Sequence, residues 1–558
     1  MNAACSPRRV FVLFVLFALA GAMRERGATC QTQTPRTSSR VAARSSQRAA
    51  VNDKLLAEGI AAFDRGDTSV ARDLLERALA SDSQSVEAHT YLGVLADQAG
   101  ELGNAERHFA IAALRAPKSP SARNNYGAIL LRLKRTREAT AEFEASLSLD
   151  PNQANALVNL AQIRFAGNTS EDMRVAAELF RRADALAPDA EISRALTGIA
   201  LRRNDRTQAA EHYQNYATRA ATANSGSVTD SAARAELGGA LLEAKLLAEA
   251  EAELKAALAL DATNTAAVAR LARVYLMRKD IPAAGRTLEA AVARQVEAAP
   301  IYSLLAVVYE KSGHIENAIP AMRLAIQADP QSDKYRFQYG LLLANADAPA
   351  AAVIRLNEAL QTFPKSARLW LGLGIANSRL GKNDEAVQAF NRAIELNANF
   401  AQAYAYLGMT RVEIGQYDEA IRLYEQALRK DPDIAVVHYL IADTLLKQTD
   451  ADPKRIETHL KQTIRMDATY APARLALGKL YVRTDRPTEA VAELESVVKI
   501  SPDLAETYYQ LGRAYGRLKR PEDARQALAK FKTLSDTQKQ QEQDERREIV
   551  HRLADVLF

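Results

Sequence analysis

Small and apolar residues recur at helical spacing from about residue 52 to residue 538, in paired segments separated by short polar stretches. In one such pair, Tyr404 and Leu407 lie one helical turn apart, and Ala420 and Tyr424 do the same after the polar stretch 414–418. Residues three and four positions apart share one face of an α-helix. The pattern therefore predicts pairs of short amphipathic helices, repeated along the chain.

A fixed period of 34 residues underlies this pattern. Small, aromatic and proline positions recur at that spacing: Leu92 and Gly93 with Tyr126 and Gly127, Ala105 with Ala139, Phe109 with Phe143, and Pro117 with Pro151. The fourteen successive units begin at Asn52, Val86, Pro120, Ala154, Ala190, Ser231, Thr265, Ala299, Asp333, Ala367, Ala401, Ala435, Ala471 and Ala505. A two-helix unit cannot bury both of its faces alone, so neighbouring units are expected to stack.

This arrangement resembles the tetratricopeptide repeat (TPR) family. In that family a small residue occupies the eighth position, alanine the twentieth, an aromatic residue or leucine the twenty-fourth, and proline the thirty-second. The resemblance implies an all-α fold, a right-handed α-solenoid of about fourteen tandem helix-turn-helix units. It also implies that the first helix of each unit lines a concave groove that binds extended peptides.

Departures from the period set the predicted domain boundaries. Repeats 1 to 5 are predicted at residues 52–223 and repeats 6 to 14 at residues 231–538. The loop-like segment 224–230 between them is interpreted either as a hinge or as an elongated loop within one continuous solenoid. Apolar residues at helical spacing within 539–558 predict a C-terminal capping helix over the exposed end of repeat 14.

The beginning of the chain differs from the repeats. Arg8 and Arg9 precede an unbroken apolar run over residues 10–22, a pattern typical of a secretory signal peptide. Such a run reaches only about 20 Å as a helix, against a bilayer core of about 30 Å, so a permanent anchor is the less favoured alternative. We therefore predict a signal peptide at 1–22 and a flexible polar tether at 23–51.

The only cysteines, Cys5 and Cys30, precede the repeats. The body of the protein therefore has no thiol for a disulfide, a cysteine-ligated metal site or thiol catalysis. Residues 27–30 resemble a bacterial lipobox, which would make Cys30 the lipidated first residue of a lipoprotein. The leader thus predicts export to the periplasm or cell envelope, with lipidation at Cys30 as an open alternative to simple cleavage.

The net charge of +5 comes from the beginning of the chain. The first 50 residues contain eight arginines and one glutamate, which leaves 65 basic and 67 acidic residues in the remainder. A body with balanced charge lacks the basic excess of a nucleic-acid-binding protein. No nucleic-acid partner is expected, and membrane contact is expected only through the leader or a lipid anchor.

The sequence contains no recognisable catalytic, cofactor or metal-binding motif. The seven histidines occur singly, with His89 and His438 at the fourth position of a repeat and His108, His212 and His459 at the twenty-third. They are interpreted as structural or solvated side chains. Most glycines are explained by repeat positions, so no phosphate-binding loop or nucleophile turn remains. The chain is predicted to be no enzyme and to use no cofactor and no metal.

Four basic residues in the last two repeats form one candidate partner-binding group. Lys479 and Arg483 occupy the ninth and thirteenth positions of repeat 13, and Arg513 and Arg517 the same positions of repeat 14. Each pair is one helical turn apart, and the resemblance implies that both pairs face the groove. Four cations with no acid among them would attract a bound carboxylate. The alternative is an ordinary solvated basic face.

Four asparagines in repeats 3 and 4 form a second candidate group, namely Asn124, Asn125, Asn155 and Asn159. A side-chain amide can both donate to and accept from a peptide backbone, whatever the partner's sequence. Superhelical repeat domains of the family that this chain resembles sometimes use groove asparagines in this way. The alternative for Asn155 is a role at the start of its helix.

These observations favour a non-enzymatic scaffold in the bacterial cell envelope, serving assembly, secretion or surface-polymer production. The expected partner is a protein or an extended peptide with an anionic segment. Two alternatives remain open: an envelope glycan-binding subunit, and an accessory TPR region related to glycosyltransferases. Aromatic side chains suited to sugar stacking are few in the groove positions, which disfavours the glycan alternative.

Overall fold

The computed structural model describes residues 39–167, 169–222 and 230–535, together with residues 549, 552 and 553. The predicted signal peptide, Cys30 and nearly all of the segment 224–230 lie outside these residues, as does most of the predicted C-terminal helix. In the described ranges the chain forms 28 α-helices and no β-strand. The prediction of an all-α helical repeat fold is confirmed.

The chain divides into two compact units, Met1–Leu260 and Asp261–Phe558. The helices of the first unit are α1 (Ser39–Asp64), α2 (Thr68–Ser81), α3 (Val86–Gln98), α4 (Leu102–Arg115), α5 (Pro120–Arg132), α6 (Thr136–Leu149), α7 (Ala154–Gly167), α8 (Ser170–Leu186), α9 (Ala190–Arg202), α10 (Arg206–Thr222), α11 (Ser231–Glu243) and α12 (Leu247–Leu260). The helices of the second unit are α13 (Thr265–Met277), α14 (Ile281–Ala293), α15 (Ala299–Lys311), α16 (Ile315–Ala328), α17 (Asp333–Asn345), α18 (Pro349–Thr362), α19 (Ala367–Arg379), α20 (Asn383–Leu396), α21 (Ala401–Glu413), α22 (Tyr417–Lys430), α23 (Ala435–Leu446), α24 (Pro453–Met466), α25 (Ala471–Arg483), α26 (Pro487–Ile500), α27 (Ala505–Arg517) and α28 (Pro521–Leu534). In both units each odd-numbered helix packs against the even-numbered helix that follows it.

Every odd-numbered helix from α3 to α27 begins at the first residue of a sequence repeat. Local capping explains several of these starts. Ser85 and Ser119 stand just before α3 and α5, and their Oγ atoms accept hydrogen bonds of 3.3 Å from the backbone N–H groups of Ala88 and Ala122. Such caps satisfy N–H groups that have no partner in the first helical turn.

The two helices of a repeat pack closely because the eighth residue is small. Gly408 on α21 lies against the ring of Tyr424 on α22, and a Cβ atom added at Gly408 would lie 2.6 Å from Cε1 of Tyr424. Tyr424 is buried, and Ala420 beside it is completely buried. Gly93 lies against the ring of Phe109 in the same way in repeat 2. Small residues at fixed positions therefore set the distance between the paired helices.

In twelve of the fourteen repeats the turn contains a described residue of positive φ just after the first helix. Glycine takes this position in five of the repeats, as at Gly415 with a φ of 77°. In other repeats a non-glycine residue has this conformation, as at Lys279 with a φ of 61°. A left-handed backbone conformation costs a non-glycine residue about 1 kcal/mol. The repeats that hold a non-glycine residue in this conformation therefore carry a small local strain.

The first helix begins earlier than the sequence pattern indicates. α1 starts at Ser39, so the prediction of a flexible tether over residues 23–51 is wrong from residue 39 onward. Residues 39–50 are rich in alanine and arginine, which favour helix, and they continue directly into the first repeat. Because helical periodicity is visible only where one face is apolar, this extension left no such signal.

A buried polar cluster joins repeats 5 and 6 on either side of the segment 224–230. Glu253 on α12 is 2% exposed, and its carboxylate accepts hydrogen bonds of 3.3 Å from the hydroxyls of Tyr213 and Tyr216 on α10. Arg234 on α11 donates to the same carboxylate at 3.1 and 3.3 Å. The segment 224–230 itself lies almost entirely outside the described residues, so its two interpretations both stay predictions. The boundary between the two compact units lies farther along the chain.

The described residues near the C-terminus pack on the junction of repeats 12 and 13. Ile549 and Leu553 are buried in the hydrophobic core of the second unit. Between them, Arg552 forms an ion pair with Asp467, and its guanidinium lies 4.3 Å from the ring centroid of Tyr470. At these residues the structure therefore differs from the prediction, which placed the C-terminal helix over the exposed end of repeat 14. The carboxylate at the end of α24 and the tyrosine ring provide a site for Arg552 that periodicity alone does not reveal.

Candidate partner-binding surface

Within each unit, several successive odd-numbered helices contact one another through side chains, and these contacts define the candidate surface. We use "odd-helix face" for the second, fifth, sixth, ninth, twelfth and thirteenth residues of each odd-numbered helix from α3 to α27. On this face Arg132 of α5 forms an ion pair with Asp97 of α3. In the second unit Asn345 of α17 donates to Glu310 of α15 at 3.0 Å and accepts from Arg379 of α19 at 3.0 Å. Within each unit these cross-helix contacts hold polar side chains in a fixed register.

Three of the four predicted asparagines lie together. Asn124 is 5% exposed, and its Oδ1 accepts a hydrogen bond of 3.0 Å from Nδ2 of Asn159 on the next odd-numbered helix. Nδ2 of Asn124 also donates to Oδ1 of Asn125 at 3.5 Å. The buried Asn124 amide therefore orients its two neighbours. Asn155 is exposed and stands apart from this cluster.

The four predicted basic residues have different surroundings, and two of them pair with acids. Lys479 lies 3.3 Å from Glu506, and Arg517 lies 3.1 Å from Asp485 and donates to the carbonyl of Val482. The expectation that no acid lies among the four cations is therefore wrong. It considered only the ninth and thirteenth positions, whereas Glu506 and Asp485 occupy the second and fifteenth.

The other two predicted cations contact no acid in the described part of the chain. Arg513 donates to Oε1 of Gln510 at 3.3 Å, and its guanidinium lies 5.9 Å from the ring centroid of Tyr509. Arg483 is exposed to solvent. Arg483 and Arg513 are thus the members of the group best placed to attract an anion.

A further basic group lies in repeats 7 to 10, and the sequence analysis missed it. Lys334, at the second position of α17, is half-buried. Burial lowers the pKa of its ammonium group, and the nearby charges of Arg273 and Arg368 lower it further. Arg368 also forms an ion pair with Asp333 at 3.2 Å. The second and ninth positions carry these three cations, so an inspection of those positions in every repeat would have found the group.

A second recurrent contact links the two helices inside a repeat, between the fourth and twenty-third positions. Arginine and glutamate form this contact in repeats 3, 6 and 13, with distances of 3.0, 3.1 and 2.7 Å: Arg123 with Glu142, Arg234 with Glu253, and Arg474 with Glu493. Histidines form it in repeats 2 and 12, with Nδ1 to Nδ1 distances of 2.9 and 3.0 Å: His89 with His108, and His438 with His459. The four histidines, which occur singly in the sequence, therefore meet in two pairs in the structure. A spacing of 19 residues, or 21 in the longer repeat 12, was the signal in the sequence.

The described residues contain no cluster of three or more His, Cys, Asp or Glu side chains arranged to hold a metal ion. In the same ranges, none of the helices is both long enough and apolar enough to span a membrane. The leader, where an export signal is predicted, is outside these ranges.

Several solved structures are similar to this chain at low sequence identity. A crystal structure of MamA is 20% identical, covering 32% of this chain and 96% of its own, with a TM-score of 0.29. The Cut9 and Hcn1 hetero-tetramer of the APC/C is 15% identical, covering 88% of this chain and 95% of its own, with a TM-score of 0.38. YrrB, described as a TPR protein with an unusual peptide-binding site, is 22% identical, covering 32% of this chain and 91% of its own, with a TM-score of 0.29. No curated protein matches the chain.

Family models described as tetratricopeptide repeat match much of the chain. One matches residues 56–122, 98–154 and 459–538, and three others match residues 367–433, 241–308 and 299–332. Together these ranges cover more than half of the sequence. They agree with the helix pairs, the small residues between them and the 34-residue period described above. The chain belongs to the tetratricopeptide repeat family.

Proposed function

We propose that this protein is a non-enzymatic scaffold of the bacterial cell envelope that binds a protein partner through its odd-helix face. TPR proteins are generally scaffolds that bind peptides or proteins. The observation that carries the proposal is the series of side-chain contacts between successive odd-numbered helices. Those contacts hold polar groups of one helix in register with those of the next, as the recognition of an extended segment requires.

The asparagine cluster supplies one point of attachment. Asn124 already holds the side chains of Asn125 and Asn159 in place. Their remaining donors and acceptors can therefore bind a peptide backbone with little further loss of side-chain conformational entropy. Backbone hydrogen bonds tolerate many partner sequences. Asn155, exposed on the same helix as Asn159, extends this surface toward the start of α7.

The basic residues supply a second point of attachment for an anionic segment. Arg483 and Arg513 offer guanidinium groups with no acidic partner in the described ranges, and Lys334 offers an ammonium group beside two arginines. A carboxylate bound at either group forms charge-assisted hydrogen bonds, which are stronger than neutral ones. We expect the bound segment to carry aspartate or glutamate side chains.

The location in the envelope rests on the sequence. Arg8, Arg9 and the apolar run 10–22 have the pattern of a signal peptide, and Cys30 is a candidate lipidation site. Intact-mass measurement of the protein purified from its host tests this part. A mature chain that begins after residue 22, or a lipidated one that begins at Cys30, supports export, whereas a full-length cytosolic chain contradicts it.

Site-specific photocrosslinking in the host tests the binding surface. Benzoylphenylalanine is placed at Asn155 on the odd-helix face and, as the matched control, at Leu114 of α4, which is 73% exposed. The proposal predicts an adduct of discrete mass from position 155 that is absent from position 114. An adduct of the same mass and yield from both positions, or from position 114 alone, contradicts it.

A further inference from the structure

The two histidine pairs share one geometry although they are more than 300 residues apart. In repeat 2 the Nδ1 atoms of His89 and His108 are 2.9 Å apart, and in repeat 12 those of His438 and His459 are 3.0 Å apart. Their ring centroids are 5.2 and 5.3 Å apart, respectively. Each pair joins the odd-numbered helix of its repeat to the even-numbered one.

Hydrogen-bond partners fix the protons of the first pair. Nε2 of His89 lies 3.3 Å from the carbonyl oxygen of Ser83, which can only accept, so this nitrogen carries a hydrogen. In the neutral ring, Nδ1 of His89 then carries no hydrogen and offers a lone pair. It accepts from Nδ1–H of His108, whose own Nε2 holds a lone pair. The pair is thus joined by one N–H···N hydrogen bond.

The histidine pair can bind two protons, one after the other, and only the second breaks the contact. The first added proton can go to Nε2 of His108, and the hydrogen bond to His89 remains. A second added proton puts a hydrogen on both facing Nδ1 atoms. Two donors and two positive charges at 2.9 Å cannot coexist, so the rings must separate.

The surrounding charges oppose protonation as well. In repeat 2 the positive neighbours of His108 are Arg107 on its own helix and Arg72 on α2, the latter paired with Glu101 at 3.1 Å. Burial is the largest cause and, together with the charge of His89 and these arginines, lowers the pKa of His108 to about 4. Neutral closed pairs are therefore favoured at neutral pH.

Repeat 12 has a corresponding environment. Arg455, on the same helix as His459, is paired with Glu425 of α22 at 2.8 Å. Burial, then the charge of His438, then that of Arg455 lower the pKa of His459 to about 4, and burial lowers that of His438. The two repeats thus respond to acid through the same chemistry.

We propose that the two histidine pairs are acid-sensitive contacts that allow repeats 2 and 12 to open in mild acid while repeats 3 and 13 stay closed. In repeats 3 and 13 the same two positions hold arginine and glutamate, namely Arg123 with Glu142 and Arg474 with Glu493. Arginine keeps its charge throughout, and an ordinary glutamate is mostly ionised at pH 5. The same contact is therefore attractive in these repeats and becomes repulsive in repeats 2 and 12.

The direction in which opening changes with pH follows from the lowered pKa values of His108 and His459. In an opened repeat His108 and His459 titrate near the usual histidine pKa of about 6.5, whereas in the closed pairs these two rings resist protonation until about pH 4. The stabilisation of the closed form is complete above about pH 6.5 and is lost as the pH falls toward 4. For half-exposed rings we expect opening to increase about tenfold between pH 7 and pH 5.

Hydrogen exchange of the full chain tests this proposal. Exchange of amides in α3 to α6 and in α23 to α26, which form repeats 2, 3, 12 and 13, is measured at pH 7 and pH 5 and corrected for the intrinsic rate at each pH. We expect about tenfold more frequent opening at pH 5 in repeats 2 and 12, and no comparable change in repeats 3 and 13. An equal change in all four repeats, or none in repeats 2 and 12, overturns the proposal.

Two kinds of variant separate this effect from general acid damage. The double substitution His438→Arg with His459→Glu places the pair of repeat 13 into repeat 12, and we expect it to remove the pH dependence of repeat 12 alone. If that variant folds poorly, His459→Gln provides a neutral side chain at every pH and is expected to reduce the pH dependence of repeat 12 to the part that comes from the burial of His438. Persistence of the full pH dependence in His459→Gln refutes the role of the pair.

Discussion

The close approach of the two helices in each repeat predicts that adding one methyl group at Gly408 destabilises repeat 11. In Gly408→Ala the new Cβ atom would lie 2.6 Å from Cε1 of Tyr424, whereas carbon atoms in good contact are about 3.5–4.0 Å apart. The ring must move by about 1 Å, although Tyr424 is 1% exposed and has little room. Overpacking of this kind costs about 1–3 kcal/mol.

Helix propensity acts in the opposite direction and must be subtracted. Alanine is more favourable than glycine inside a helix by about 1 kcal/mol. The expected net effect of Gly408→Ala is therefore a destabilisation of about 1 kcal/mol, with a range of about 0–2 kcal/mol. Gly516→Ala on α27 is the matched control, because no atom lies within 4 Å of the added Cβ. That substitution is expected to stabilise its repeat by about 0.5–1 kcal/mol.

The assay must report on single repeats, because repeat arrays do not unfold as one unit. Hydrogen exchange in α21 and α22 measures the opening of repeat 11, and exchange in α27 and α28 measures that of repeat 14. Urea unfolding followed by circular dichroism gives the overall order of stability. If Gly408→Ala is as stable as Gly516→Ala or more so, the distance between paired helices is not set by the residue at the eighth position.

Three further predictions follow from the same structure. Leu477→Ala removes a side chain that is 1% exposed and should cost about 2–5 kcal/mol in urea unfolding, and a loss below 1 kcal/mol would contradict its place in the core. Lys279→Gly should stabilise repeat 7 by up to about 1 kcal/mol, because glycine accepts the positive φ without strain, and a destabilisation would contradict this reasoning. Replacement by glutamine at four positions should weaken binding of the crosslinked partner in a salt-dependent manner: Lys479, Arg483, Arg513 and Arg517. The effect should come mainly from Arg483 and Arg513, since the other two have acidic neighbours, and unchanged affinity would exclude this group as a binding site.

The local packing of the fold could be predicted from the sequence because each repeat uses the same few residues. Gly408, Ala420 and Tyr424 occur at fixed positions, and each position has one physical role in every copy. The extension of α1 to Ser39 left no periodic signal, because its helix is favoured by composition rather than by an apolar stripe.

The candidate site could be predicted less well, because it depends on contacts between repeats. The spacing of Asn124 and Asn159 indicated two groove positions, and only the structure places one amide oxygen 3.0 Å from the other amide nitrogen. The pairing of His438 with His459 was hidden for a similar reason. Both residues occupy regular repeat positions in the sequence, but their contact depends on how the two helices cross.

The proposed function depends above all on a partner binding to the odd-helix face. Hydroxyl-radical footprinting of the full chain, alone and with the partner captured through position 155, tests it most directly. We predict that oxidation falls at exposed side chains of the odd-helix face and is unchanged at exposed positions of the even-numbered helices, such as Ile354 of α18, which is 56% exposed. Protection confined to the even-numbered helices would contradict the claim.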